Sequence, residues 1–271
     1  MTSTSGEKPG ASIPIESVPN LRDVGGYRTR DGATIRFGRY YRSTDLSKIT
    51  VDDAPRLAEL GLVTVFDLRT HSEREAAPDR LPPSAREVPL DVLADKALRS
   101  VPAQMQAVMS DPSIAVSMLG ENKALDYFLG SYRDFVTLPS AIASYRTLFT
   151  DLAAHDNLPA LVHCTTGKDR TGWATASLLL LLGLGEDAVF HEYLLTNEQL
   201  LPAFASIFDK FTAAGGDPEL LKQVLGVRPE YLQAALTQMR EKFGSIEGYF
   251  ADGLGIDVAG QDAIRAHLLE G

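Results

Sequence analysis

Apolar and polar positions along the chain change period several times, and each change marks an element. Residues 20–43 read as a β-hairpin, because VGGYRTR and ATIRFGRYYRS flank Asp31-Gly32, a turn pair that supplies the positive φ of a tight reversal. Thr50 and Asp53 stand in capping-box spacing ahead of a short helix that stops at Gly61. LVTVFDLR (62–69) is a continuous β-branched run, as in a buried strand whose C-terminal end opens into a loop. Residues 75–125 are interrupted by prolines and weakly periodic, which predicts loop with short helices, some of it facing a substrate.

From 140 to 154 the apolar residues Ile142, Tyr145, Leu148, Phe149 and Leu152 share one helical face, and His155-Asp156-Asn157 ends it. LPALVHC (158–164) then reads as a second buried strand, TTGKDRTG as a tight loop, and WATASLLLLLG as a helix apolar on every side. Helices follow at 186–195, 197–212, 217–225, 229–243 and near 259–269. Helices alternating with buried strands predict an α/β fold, a central mostly parallel sheet flanked by helices, with a helical C-terminal part. We expect a disordered tail over 1–14 and one domain over 15–271, with no internal repeat.

Composition narrows the possible partners. The 271 residues carry 26 Lys plus Arg against 36 Asp plus Glu, a net charge of -10, which disfavours whole-surface attraction to nucleic acid or anionic lipid. Any bound anion therefore needs a local site. The polar N-terminus lacks the apolar core of a secretion signal, and the longest apolar run, Trp173 to Leu184, is too short to span a bilayer. A cytoplasmic protein is expected, with export by a route that needs no signal peptide as the alternative. The single cysteine, Cys164, excludes an intramolecular disulfide and leaves a buried inert thiol or a catalytic one.

The setting of Cys164 favours catalysis. His163-Cys164-Thr165-Thr166-Gly167-Lys168-Asp169-Arg170-Thr171 fits H-C-x5-R-[ST], placed between a strand and a helix, where α/β sheets put their ligands. Five residues between Cys and Arg let the backbone of Thr165, Thr166, Gly167 and Lys168 curl so that N–H groups point inward at a phosphate. The helix dipole adds a favourable field, and the Arg170 guanidinium closes the cradle. The same groups stabilise a thiolate, giving a nucleophile that attacks phosphorus and forms a phosphocysteine. Thr171 can donate its hydroxyl to the departing thiolate, and His163 is placed to tune it by hydrogen bonding. Such chemistry needs no metal or cofactor, and phosphate, sulfate or vanadate should occupy the loop. A nucleotide-binding loop is excluded, since Asp169 follows the Lys and Val162 stands where its first Gly belongs. Rossmann spacing is absent, and His71, His155, His191 and His267 show no metal-ligand clustering.

This loop resembles the signature of the protein tyrosine phosphatase superfamily, and the chain is similar to its atypical bacterial group. NLRDVGGY (20–27), YRSTDLS (41–47), FDLR (66–69), LGVRPEYL (225–232) and FGSIEGYF (243–250) carry the likeness over nearly the whole chain after the tail. Two positions depart from the pattern: Thr166 replaces a small apolar residue, and Leu21 replaces the usual aromatic of an Asn-Phe-Arg-Asp block. The resemblance implies hydrolysis of phosphotyrosine in proteins, with phosphoserine, phosphothreonine or phosphoinositides as further substrates. It also implies Asp169 as general acid, the alternative being a carboxylate that braces the loop. Asp67, at the end of its strand, is the second choice, the alternative being a strand-end partner for Arg69 or Arg22. Lys168 is either a solvated charge or, by resemblance to lipid phosphatases, a second cation for a polyanionic substrate. By the same analogy the helices of 197–225 form a lid; otherwise they are ordinary packed helices. Outside phosphatase chemistry stand a module that binds phospho-ligands without turnover and a sulfurtransferase, whose chemistry would not need Thr171 or an acid at Asp169.

Overall fold

In the computed structural model, which describes residues 8–96 and 122–271, five strands form one sheet in the order β1-β3-β6-β4-β5. These are β1 (Arg22–Asp23), β3 (Tyr40–Ser43), β4 (Thr64–Asp67), β5 (Arg86–Pro89) and β6 (Ala160–His163), and only β1 runs antiparallel to its neighbour. A two-stranded ribbon joins β2 (Thr34–Ile35) to β7 (Leu269–Glu270). The expected α/β class is therefore found. Ser43 and Asp67 both register with His163, so three parallel strands end level with one another just before Cys164.

Alternation along the buried strands divides the core between two faces. Tyr40, Phe66, Ala160 and Val162 point into the larger cluster, under the helices, whereas Tyr41, Val65 and Leu161 meet Ile15, Leu46 and Leu57 on the other. Among the described residues the α-helices of five residues or more are α1 (Ala54–Ala58), α2 (His71–Ala76), α3 (Lys123–Thr137), α4 (Pro139–Leu152), α5 (Arg170–Leu181), α6 (Glu186–Leu200), α7 (Ala205–Ala213), α8 (Pro218–Leu225), α9 (Pro229–Phe243) and α10 (Val258–Leu268). All residues of α5 but Leu180 are buried, as its unbroken apolarity predicts, and each enclosed Leu contributes about 1.5–3 kcal/mol relative to exposure.

Several expectations need adjustment. The hairpin about Asp31-Gly32 forms, with φ +96 at Gly32, Thr29 N–H donating to Ala33 C=O, Ile35 N–H donating to Tyr27 C=O and β1 antiparallel to β3, but it does not stand alone: Thr34 and Ile35 also pair with the C-terminal β7. The Thr50 box is half made, because Thr50 accepts from Asp53 N–H while the Asp53 carboxylate is taken by Ser17. Within 75–125, β5 is an edge strand whose largely exposed residues lack an apolar alternation to reveal it, and 97–121 lie outside the described residues. Helix α3 was not foreseen. The boundary expected at 195–197 falls instead after Leu200, at a 3-10 turn containing Pro202. Residues 8–14, placed in the expected tail, meet the body: Gln199 donates to Gly10 C=O, and Ile13 N–H to Leu21 C=O.

Candidate active site

The chain leaves β6 at His163, forms the loop from Cys164 to Asp169, and enters α5 at Arg170. The rear of the loop is held by its carbonyls. Asp45 N–H reaches Thr165 C=O at 3.2 Å, Asn20 Nδ2 reaches the Thr166 and Gly167 carbonyls at 3.4 and 3.1 Å, and Arg42 donates to Gly167 C=O at 2.7 Å. A peptide is planar and trans, so a carbonyl pinned to the rear directs the N–H of the same unit the other way. The N–H groups of Thr166, Gly167 and Lys168 are thereby turned inward. Behind them Arg42 and Arg22 share the fully buried Glu192, at 2.8 and 2.7 Å, which ties α6 to β1, β3 and the loop.

Gly167 has φ +64, and a Cβ there would stand 2.0 Å from the Ser43 carbonyl oxygen. Both the left-handed backbone and the close approach to β3 exclude any other residue. We expect Gly167→Ala to displace the cradle and lower kcat/KM for p-nitrophenyl phosphate by about 10²-fold, the scale of a small geometric error at a reacting centre. Activity within twofold of the parent would show that the loop tolerates the shift.

Cys164 is buried. Burial by itself would push its thiol up, but Arg170 and then the hydroxyl and N–H of Thr171 outweigh it, and the thiol lies below its ordinary value. Among the described residues Thr171 Oγ1 is buried with no nitrogen or oxygen partner, which leaves it available to the sulfur. Arg170 is aimed by Glu73, which grips the guanidinium at 2.7 and 2.9 Å, while a third bond runs to Leu68 C=O at 3.2 Å. Burial opposes ionisation of Glu73, yet Arg170 and then the Thr165 hydroxyl hold its carboxyl far below the usual range. Glu73 is absent from the sequence reading. Its one local signal is the capping box of α2, complete between Thr70 and Glu73, and that spacing says nothing about Arg170.

Asp169 is partly exposed and is held by two hydrogen bonds and an ion-pair contact. Lys168 Nζ lies 3.1 and 2.9 Å from its two oxygens, and Tyr132 Oη donates to Oδ1 at 3.0 Å. Lys168 is only 4% exposed, so it is not the solvated charge of the first reading. Its ammonium also meets Gly226 C=O at 3.1 Å and lies 4.4 Å from the centre of the Phe128 ring, which leaves little of it for a ligand.

Asp67 is wholly enclosed, and both its oxygens accept from Arg69. The geometry matches the strand-end partner reading, not an acid open to substrate. His163 sits beside it, with Nε2 3.0 Å from Asp79 and Nδ1 3.9 Å from Asp67. Burial disfavours the imidazolium, but these carboxylates raise it to about 9, which favours the charged ring next to Cys164. Asp67, Asp79 and His163 converge closely enough to suggest a metal site. Arg69 already lies 2.7 and 2.9 Å from the two carboxylates, and with the imidazolium it neutralises them. The donor set fits an ion network and not a metal.

Comparison with known proteins adds an independent finding. A family model described as the tyrosine phosphatase family matches residues 13–270. A protein named as a tyrosine-protein phosphatase from Cupriavidus necator is 31% identical, over 96% of this chain and 89% of its own. The triple specificity protein phosphatase PtpB of Mycobacterium tuberculosis is 36% identical, over 92% of this chain and 96% of its own.

Proposed function

The chain belongs to the tyrosine phosphatase family and is a protein-tyrosine phosphatase, and from that premise we propose that it works through a phosphocysteine on Cys164, with phosphotyrosine in proteins as the main substrate and phosphoserine or phosphothreonine as further ones. The observation that carries the mechanism is a buried thiol held toward its thiolate by Arg170 and Thr171 at the level ends of three parallel strands. In the first step the Cys164 sulfur forms a bond to phosphorus while the ester P–O bond breaks, and the leaving oxygen takes a proton from Asp169. In the second, a water gives its proton back to Asp169 and its oxygen bonds to phosphorus. The S–P bond then breaks, and the Thr171 hydroxyl stabilises the released thiolate. Inward N–H groups and Arg170 carry the charge of the transferring group throughout.

The name of the mycobacterial relative, triple specificity, supports a relaxed preference among esters. Against a phosphoinositide substrate stands Lys168, whose charge is shared between Asp169 and a carbonyl, so that it offers no free cation for a second phosphate. Among the described residues, no helix is long and apolar enough to cross a membrane. The test is kcat/KM for a phosphotyrosine peptide, a phosphoserine peptide and a soluble phosphoinositide on one preparation. A tenfold lipid preference would reverse the ordering, and vanadate binding with no hydrolysis of any ester would make the protein a phospho-ligand reader.

For the acid, we expect Asp169→Asn to slow alkyl esters at least about tenfold more than p-nitrophenyl phosphate, since only a poor leaving group needs the proton. Equal losses on both would remove Asp169 from that role. Helices α7 and α8 we assign as a lid, because they pack through a small cluster of their own around Phe211, Leu221 and Leu225. They rejoin the body where Asn197 clamps Val227 and Lys168 meets Gly226. Such a cover would protect the thiolate from oxidation.

A further inference from the structure

Two buried phenols end on the one carboxylate that the mechanism uses. Tyr132 on α3 and Tyr193 on α6 are both fully enclosed, and their hydroxyl oxygens stand 2.6 Å apart. The Tyr132 proton is committed to Asp169 Oδ1 at 3.0 Å, so the bond between the phenols must be donated by Tyr193. Burial, and next the nearby Asp169 carboxylate, push both phenols well above their ordinary value, which keeps them protonated donors. The chain of donation thus runs one way, from Tyr193 to Tyr132 to Asp169.

We propose that Tyr132, oriented by Tyr193, is a positioning residue that aims the Asp169 carboxyl at the leaving oxygen. This rests on the general-acid reading of Asp169. Oδ1 accepts from both Tyr132 and Lys168, at 3.0 and 3.1 Å, whereas Oδ2, among the described residues, has the Lys168 ammonium beside it at 2.9 Å as an ion-pair contact and accepts no hydrogen bond. Oδ2 is therefore the oxygen with room to carry the transferable proton, and its direction follows from what holds Oδ1. Lys168 cannot set that direction by itself, since its ammonium contacts both oxygens. The phenol is fixed by its surroundings: its ring packs 5.2 Å from Phe135 and 5.9 Å from Tyr231. Gly172, in the first turn of α5, makes room for the pair, because a Cβ there would come within 3.0 Å of the Tyr193 ring. Three helices are thus brought together around a hydroxyl pair whose outlet is a partly exposed carboxylate in the site.

The test uses the full chain with Tyr132→Phe, which keeps the ring and removes only the hydroxyl. Turnover of a phosphoserine peptide should fall about tenfold, the scale of one hydrogen bond to a charged group, while p-nitrophenyl phosphate changes less than about threefold. In the Asp169→Asn background the same substitution should cost less than about twofold further, and Tyr193→Phe should give a weaker loss in the same direction. A merely structural role would lower both substrates equally, or multiply with Asp169→Asn, and either result overturns the proposal. If Asp169→Asn is selective for poor leaving groups and Tyr132→Phe is not, the positioning role fails alone. If neither is selective, the acid assignment fails and takes this inference with it. Should Tyr132→Phe fail to fold, Tyr193→Phe carries the same comparison, and equal loss on both substrates there is again the overturning result.

Discussion

Cys164→Ser should eliminate turnover, with kcat for p-nitrophenyl phosphate falling by on the order of 10⁶, the scale seen when an enzyme loses its covalent nucleophile. The cradle is built to ionise sulfur. A thiol begins near pKa 8.5, and Arg170 with the Thr171 hydroxyl and N–H bring it down despite burial; a serine hydroxyl begins many orders of magnitude further from ionisation, and the same groups do not bridge that gap. Phosphate binding should survive, because the inward N–H groups and Arg170 are untouched. Calorimetric titration with phosphate or vanadate, run beside the rate assay, separates the two effects. In the parent enzyme, alkylation by iodoacetamide should persist to lower pH than for a free thiol, since Arg170 and Thr171 hold the Cys164 thiol below its ordinary value. Retention of more than about 1% activity by the serine variant would point to direct attack by water and end the phosphocysteine mechanism.

Glu192→Ala should be the most destabilising of the substitutions considered, costing about 3–5 kcal/mol, as when one member of a buried ion pair is removed. Glu192 is 1% exposed and each of its oxygens takes one arginine, Arg22 or Arg42, neither of which reaches solvent. Burial already draws Arg22 down to about 10, with Arg42 as a repelling neighbour, so without the carboxylate two desolvated cations face each other. The damage extends to the site, because the Arg42 that holds Gly167 C=O is itself held by Glu192. Thermal unfolding should show a midpoint lower by on the order of 10 °C. Even in the folded fraction, phosphate affinity should weaken as the Gly167–Lys168 peptide loses its anchor. A midpoint within about 2 °C of the parent would mean that the arginines find other partners, and the bracing role would be withdrawn.

What could be read from the chain follows the range of the forces involved. Strand β6, the loop and α5 were legible because each is set within a few residues: a buried apolar run, a glycine that must adopt positive φ, and a helix apolar on every side. The edge strand β5 escaped because exposure removes the alternation that marks a strand. Lys168 and Asp67 kept two readings each, since composition and spacing say that a charge is present but not what neutralises it.

By itself, then, the sequence determined that Cys164, the nucleophile we propose, and Arg170 lie on one loop between strand and helix. Tertiary structure decided the rest: Glu73 behind Arg170, Glu192 behind the loop, Tyr132 against Asp169, Arg69 closing off Asp67. Each of these pairs joins segments, or selects among partners, through a buried polar or charged group that must find its counterpart wherever packing brings one. Sequence spacing carries no record of that meeting, because it is the sheet order and the crossing of α3 and α6 over α5 that set it.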